Sequence, residues 1–160
     1  MTRLGFITNY QAGRNRKRPE RIRSLVNEIG GDTYDVGDLD SIRDATHRLR
    51  DAGTDVIVVN GGDGTVHAVL TRLMRSDSPM PLVAAIPGGT TNLTANDLSG
   101  SMTPEQALER LGRLKELAPD ALPRVGRRVL EVTVDDADPQ YGLIVSAGAT
   151  LRGMEHFRDN

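Results

Sequence analysis

The run Val56-Ile57-Val58-Val59-Asn60-Gly61-Gly62-Asp63-Gly64-Thr65 decides the fold of this chain. Four consecutive β-branched residues are stiff at χ1 and fit a strand buried on both faces, as in the centre of a parallel sheet. The run ends in a glycine turn, after which Val66, Val69, Leu70, Leu73 and Met74 recur at helical spacing. Strand, turn and helix in that order are half of a βαβ unit. The design returns downstream, where the apolar strand Leu82 to Ile86 opens into Pro87-Gly88-Gly89-Thr90-Thr91-Asn92.

Upstream, Leu4 to Thr8 reads as a first strand, followed by a polar and basic loop from Gln11 to Arg18. A helix then starts at Pro19 and stops at Gly30-Gly31, with Ile22, Leu25, Val26 and Ile29 forming one apolar stripe. A weak strand near Thr33 to Val36 precedes a second helix, Ser41 to Ala52, in which Ser41 and Asp44 are spaced as a capping box and Gly53 ends the helix. Beyond the second glycine turn, Thr103-Pro104-Glu105-Gln106 begins another helix carrying Leu108, Leu111 and Leu114. The texture changes after Pro119 and Pro123. Arg128 to Val134 alternates by twos and Tyr141 to Ala147 is apolar, with Asp135-Asp136-Ala137-Asp138-Pro139 between them, which reads as a hairpin. The expected fold is therefore α/β: a three-layer, doubly wound, mostly parallel sheet over residues 1–120, then the start of a β-rich lobe over 121–160. The boundary is expected between Pro119 and Arg127.

Length and composition bound the function. A chain of 160 residues with 38% hydrophobic and 26% charged residues suits one globular domain of ordinary size. The chain has neither an apolar run long enough to span a bilayer nor a secretory leader, so a cytoplasmic location is expected, at most peripheral to a membrane. Zero cysteines exclude disulfides and thiolate chemistry, and His47, His67 and His156 are scattered, so any metal must be held by oxygen. A formal charge of −2 argues against nucleic acid as a partner.

In an open parallel sheet, ligands bind at the carboxyl ends of the strands, and both glycine turns lie there. Glycines let backbone N–H groups approach a phosphate, and the following helix adds its own unpaired N–H groups. Asp63 would repel phosphate unless a cation lies between them. It therefore points to magnesium, to a ribose or substrate hydroxyl, or to a structural hydrogen bond to loop amides. Thr65 suits a helix cap or a phosphate contact. Arg14, Arg16, Lys17, Arg18, Arg21 and Arg23 form a basic cluster whose bulk reads as a solvated helix face. Arg14 is its best candidate for reaching a phosphate or an anionic headgroup. His67 could touch a nucleotide from the first turn of its helix, and Asp97 could line the cleft or cap a turn.

At these residues the sequence resembles the diacylglycerol kinase catalytic-domain family, which includes bacterial lipid kinases and sphingosine and ceramide kinases. The family's Gly-Gly-Asp-Gly-Thr turn is matched by Gly61 to Thr65, and its Pro-x-Gly-Thr-x-Asn turn by Pro87, Gly89, Thr90 and Asn92. A further turn after the first strand, Asn-Pro-x-Ser/Ala-Gly, is matched by Asn9, Ala12 and Gly13, with Tyr10 in place of proline. The acidic residue usually found three positions past the loop threonine is Ala68 here. A nucleotide-contacting threonine after the second strand has no counterpart near Asp35 to Gly37.

The resemblance implies ATP and magnesium as cofactors and phosphoryl transfer to a lipid hydroxyl at a membrane surface. It implies an ATP site built from Gly61, Gly62, Asp63, Gly64, Thr65, Val66 and His67 together with Thr90; Asn9, Gly13, Arg14, Gly89 and Asn92 are further candidates for the same site, and Asp63 is the catalytic candidate. The family's general base lies in the β-rich lobe beyond residue 160, so the chain is expected to be a truncated catalytic domain without activity of its own. Unpaired edges of the tail hairpin are expected to invite a second copy, giving a homodimer. Two other readings share the first turn: an enzyme similar to NAD kinases, whose second motif differs from Pro87 to Asn92, and a regulatory module that binds nucleotide without chemistry.

Overall fold

Alternation along β1 (Leu4–Thr8) and β3 (Val56–Gly61) divides the core in two. Leu4, Phe6, Val56 and Val58 join Ile22, Leu25, Val26 and Ile29 of α1 (Pro19–Ile29) and Ala107 and Leu108 of α5 (Pro104–Leu114). Ile7, Ile57 and Val59 face the other way, against Ile42, Ala45 and Leu49 of α2 (Leu39–Asp51) and Val66, Val69, Leu70 and Leu73 of α3 (Asp63–Met74). Burying each of the valine, leucine, isoleucine and phenylalanine side chains is worth about 1.5–3 kcal/mol, so both helix layers are held chiefly by these contacts. The computed structural model describes residues 1–145. His156 and the last residues of the expected Tyr141 to Ala147 strand lie outside them.

With β2 (Asp32–Asp35) and β4 (Leu82–Pro87), the sheet is all parallel in the order β2-β1-β3-β4. This is the three-layer α/β fold expected from the sequence. The chain moves from β1 outward to β2 and then returns to the other side of β1 for β3, so the winding reverses between β1 and β3. Thr8 pairs with Asn60, Asn60 with Ile86 and Gly61 with Pro87, so three turns leave the sheet at one level.

Several boundaries differ from expectation. Helix α2 begins earlier because Asp38, not Ser41, is its cap: Asp38 Oδ1 accepts from Ser41 N at 2.7 Å and Ser41 Oγ accepts from Asp38 N at 3.2 Å. Strand β3 runs on to Gly61 because β4 pairs with it that far. Helix α4 (Leu93–Ser99) was not expected, since its seven residues LTANDLS have no apolar stripe and no cap of their own. The tail strands β5 (Leu130–Val132) and β6 (Gln140–Gly142) are shorter than their patterns and pair antiparallel, with Asp135 in the left-handed region of the turn at φ 51°.

The hairpin does not stand alone. The Thr71 hydroxyl on α3 donates to Tyr141 O at 3.1 Å and accepts from Tyr141 N at 2.9 Å. Arg75 adds a hydrogen bond to Pro139 O at 2.7 Å and an ion pair with Asp138 at 3.3 Å. Because β6 packs on α3 of its own chain, the expected homodimer through the tail finds no support. Among the described residues no helix is long and apolar enough to cross a membrane.

Candidate functional site

Three turns meet at the carboxyl edge, and their backbones are tied together. Gly89 N donates to Gly61 O at 3.1 Å, Arg14 N and Asn15 N donate to Gly88 O at 2.8 and 3.1 Å, and Asn9 N donates to Asn60 O at 2.9 Å. Gly62 and Gly89 meet backbone to backbone, and a Cβ on Gly89 would collide with the Gly62 α-carbon. Glycine is needed here for close approach. None of Gly61, Gly62, Gly64, Gly88 and Gly89 has a positive φ, so close approach and not a left-handed backbone is what these turns ask of glycine, and Gly62 is extended at φ −90°.

The backbone N–H groups of Gly13, Gly62, Asp63, Gly64, Thr90 and Thr91 donate to no protein acceptor among the described residues. Six unpaired donors around the start of a 12-residue helix suit an anion with several oxygens. The arrangement thus fits a polyphosphate. It fits a metal less fully, because no three His, Cys, Asp or Glu side chains among the described residues are grouped to hold one.

Asp63 spans the two glycine turns. Its Oδ1 accepts from Thr94 N at 2.9 Å and its Oδ2 from Leu93 N at 3.1 Å, so a residue of the first turn caps the helix that follows the second. Of the roles open to Asp63 in the sequence, the hydrogen bond to loop amides is the one seen. Asn92 locks the second turn on itself: Oδ1 accepts from Gly89 N at 2.7 Å and Nδ2 donates to Gly89 O at 2.8 Å. The residue sits in the left-handed region at φ 56°, which asparagine tolerates better than most side chains. This bond and the Gly61 carbonyl together occupy the Gly89 N–H, which is therefore not free for a ligand.

The other expected residues divide clearly. Asn9 joins the edge through its backbone, while its Oδ1 accepts from Gln11 N at 2.9 Å. Gly13 packs on Thr90, and Thr65 is buried against Gly61. Val66 is a core residue, so only its backbone faces the turn. His67 is exposed beside the tail, its Cδ2 3.2 Å from where a Cβ on Gly142 would lie. The Arg14 side chain turns away from the edge to donate to Met102 O at 3.1 Å. Much of the basic cluster is paired as well: Arg21 with Glu109 at 3.3 Å and Arg23 with Asp35 at 3.0 Å. Arg23 also lies 4.3 Å over the Tyr10 ring. Burial, aided by the Asp35 carboxylate, pushes the Tyr10 phenol above its ordinary range. Asp97 is held by Arg127 of the linker at 3.0 Å.

Asn15 was missed in the sequence, where it is hidden in the run Arg14-Asn15-Arg16-Lys17. It is 0% exposed, and its Nδ2 donates to Asn9 O at 2.9 Å and to Asn60 O at 3.2 Å. Its side chain also lies against Gly88, where any Cβ would strike it. The one available signal was a polar residue beginning a 3₁₀ turn (Asn15–Lys17) among solvated cations.

A family model described as the diacylglycerol kinase catalytic domain matches residues 3–120. A crystal structure of a diacylglycerol kinase from Bacillus anthracis str. Sterne aligns with a TM-score of 0.59 and 22% identity, over 69% of this chain and 42% of its own. A second structure, of a provisionally assigned diacylglycerol kinase from the same strain, gives the same score and identity over 39% of its own length. At that identity the likeness shows the fold, and the chain spans about two fifths of those proteins. No curated protein matches the chain significantly.

Proposed function

Since this chain belongs to the diacylglycerol kinase catalytic-domain family, we propose that it is the nucleotide-binding part of an ATP-dependent lipid kinase. The observation that carries this reading is the set of unpaired N–H groups from Gly13, Gly62, Asp63, Gly64, Thr90 and Thr91 around one helix start. Oriented donors of this kind bind the β- and γ-phosphates and meet the charge that spreads over the transferred phosphoryl group. In the transfer, a lipid hydroxyl bonds to the γ-phosphorus, the bond to the β–γ bridging oxygen breaks, and the hydroxyl proton leaves to a base. Magnesium, when bound, would screen phosphate charge. Asp63, whose oxygens each accept one N–H and keep further lone pairs, is the residue among these that would hold it.

Residues 121–160 are proposed to open a second lobe, and turnover is proposed to need residues outside this chain, because the B. anthracis proteins are more than twice as long as the aligned part. The test is calorimetric titration of the 160-residue chain with magnesium and ADP or ATP, then incubation with ATP and diacylglycerol, sphingosine-like or phosphatidylglycerol vesicles, or NAD. Nucleotide binding without lipid phosphorylation is expected. Phosphorylation of NAD would favour the NAD kinase reading, and no nucleotide binding would reject the site.

A further inference from the structure

Arg14 is rooted among the unpaired donors and reaches out of them. It follows Gly13, where a Cβ would lie 3.1 Å from the unpaired Thr90 N. Its own N–H is bonded to Gly88 O at 2.8 Å, two residues before Thr90. Yet its guanidinium uses one of five N–H donors, on a neutral carbonyl, Met102 O at 3.1 Å. The other cations of this loop and helix are settled differently. Arg18, Arg21 and Arg23 lie 4.0, 3.3 and 3.0 Å from Glu105, Glu109 and Asp35, and Arg16 and Lys17 are exposed. Arg14 is half-buried and pairs with no carboxylate among the described residues. Five bonds of about 1.5 Å carry its guanidinium carbon roughly 6 Å from Cα, so an anion held on the Gly13 and Thr90 amides is within its reach. Those amides bear no full charge, whereas a guanidinium meets phosphate oxygens through two parallel charge-assisted hydrogen bonds.

The carbonyl that Arg14 now holds has a place of its own in the fold. Met102 lies in the short connection between Gly100, which ends α4 at φ 75°, and Thr103, which caps α5. No other donor among the described residues meets Met102 O. We propose that Arg14 is an exchangeable arm: in the free protein it holds the α4–α5 connection through Met102 O, and when a polyphosphate occupies the glycine turns it leaves that carbonyl for a phosphate oxygen and frees the connection. The proposal rests on the nucleotide reading above and adds to it a route by which filling the site is felt at α5. A ligand shifts a population only through contacts that differ between two states, and here the difference is an anionic acceptor against a neutral one.

The test joins crystal structures of this chain, free and with ADP, to calorimetric ADP affinities and Thr103 amide exchange for the unaltered chain, Arg14→Met and Arg16→Met. Arg14 is expected on Met102 O in the free crystal and about 2.7–2.9 Å from a phosphate oxygen in the other. Arg14→Met should weaken ADP binding roughly 3- to 30-fold, less than a whole charged hydrogen bond because the Met102 bond is given up in exchange. Arg16→Met removes a solvated charge from the same turn and should change the affinity less than about 2-fold. ADP should speed exchange of the Thr103 N–H, which donates to Gln106 Oε1, in the unaltered chain and leave it unchanged in Arg14→Met, where the tie is already gone. The arm is overturned if Arg14 stays on Met102 O with ADP bound at the glycine turns, or if Arg14→Met binds ADP normally. It is overturned too if Arg16→Met copies the loss, which marks a general effect of charge, and exchange at Thr103 that ignores ADP rejects the route to α5. Should the unaltered chain bind no ADP, the nucleotide reading falls and the arm with it; ADP bound with Arg14 unmoved removes the arm alone.

Discussion

Gly89 and Gly64 share a side chain of one hydrogen and differ in what surrounds it. A Cβ on Gly89 would meet the Gly62 backbone and come within 2.9 Å of Asn92 Oδ1, whereas one on Gly64 would meet nothing within 4 Å. Gly89→Ala should therefore part the two turns and lower ADP affinity at least tenfold, about 1.4 kcal/mol, as calorimetry would show. Gly64→Ala should raise stability by about 0.4–1 kcal/mol through the unfolded chain, since its helical backbone suits alanine. Asp63→Asn is the second test at this scale. In that variant the new amide NH2 faces a backbone N–H of α4, which should cost about 1–2 kcal/mol in denaturant unfolding alongside any loss of ADP binding. The glycines and Asp63 were legible as a site because their types are rare in that order. Their tasks were not, because a bond from Asp63 to α4 joins residues 30 apart and depends on how two turns are juxtaposed.

Elements with an apolar stripe and a local cap could be read directly: Ile22, Leu25, Val26 and Ile29 mark α1, and Thr103 with Gln106 caps α5 as expected. Helix α4 could not be read, because its cap arrives from another part of the chain. Helix α2 shows the finer limit, for Ser41 and Asp44 had the spacing of a capping box, whereas the box is formed one turn earlier by Asp38 with Ser41. The Ser41 N–H bond holds the Asp38 carboxyl below its ordinary range. A lowered folded-state value means that this stabilisation is present above the ordinary carboxylate range, near pH 4, and is lost as pH falls through the folded value. Denaturant midpoints measured from pH 6 down to pH 2 should fall for the unaltered chain. In Asp38→Asn, which keeps an acceptor at the cap, the fall should be shallower.

Across the whole molecule, parallel order and layering followed from buried strands alternating with helices. The seat of the tail did not, since no periodicity in Arg128 to Val134 shows that Thr71 will grip Tyr141. Thr71→Val should keep the shape of α3 while leaving the Tyr141 N–H without its acceptor. Amide exchange at Tyr141 should then accelerate while exchange in β3 stays slow; equal protection in both forms would show that other contacts hold the tail. The strand order carries one more consequence, for the chain as it is made. β1 emerges from the ribosome first, yet it is an interior strand whose partner on one side, β3, is completed only at Gly61. At synthesis rates of roughly 5–20 residues per second, the nascent chain holds an open, apolar edge for about 3 to 10 seconds. The β-branched run that ends at the phosphate turn is thus also the segment whose arrival closes that edge to nascent neighbours.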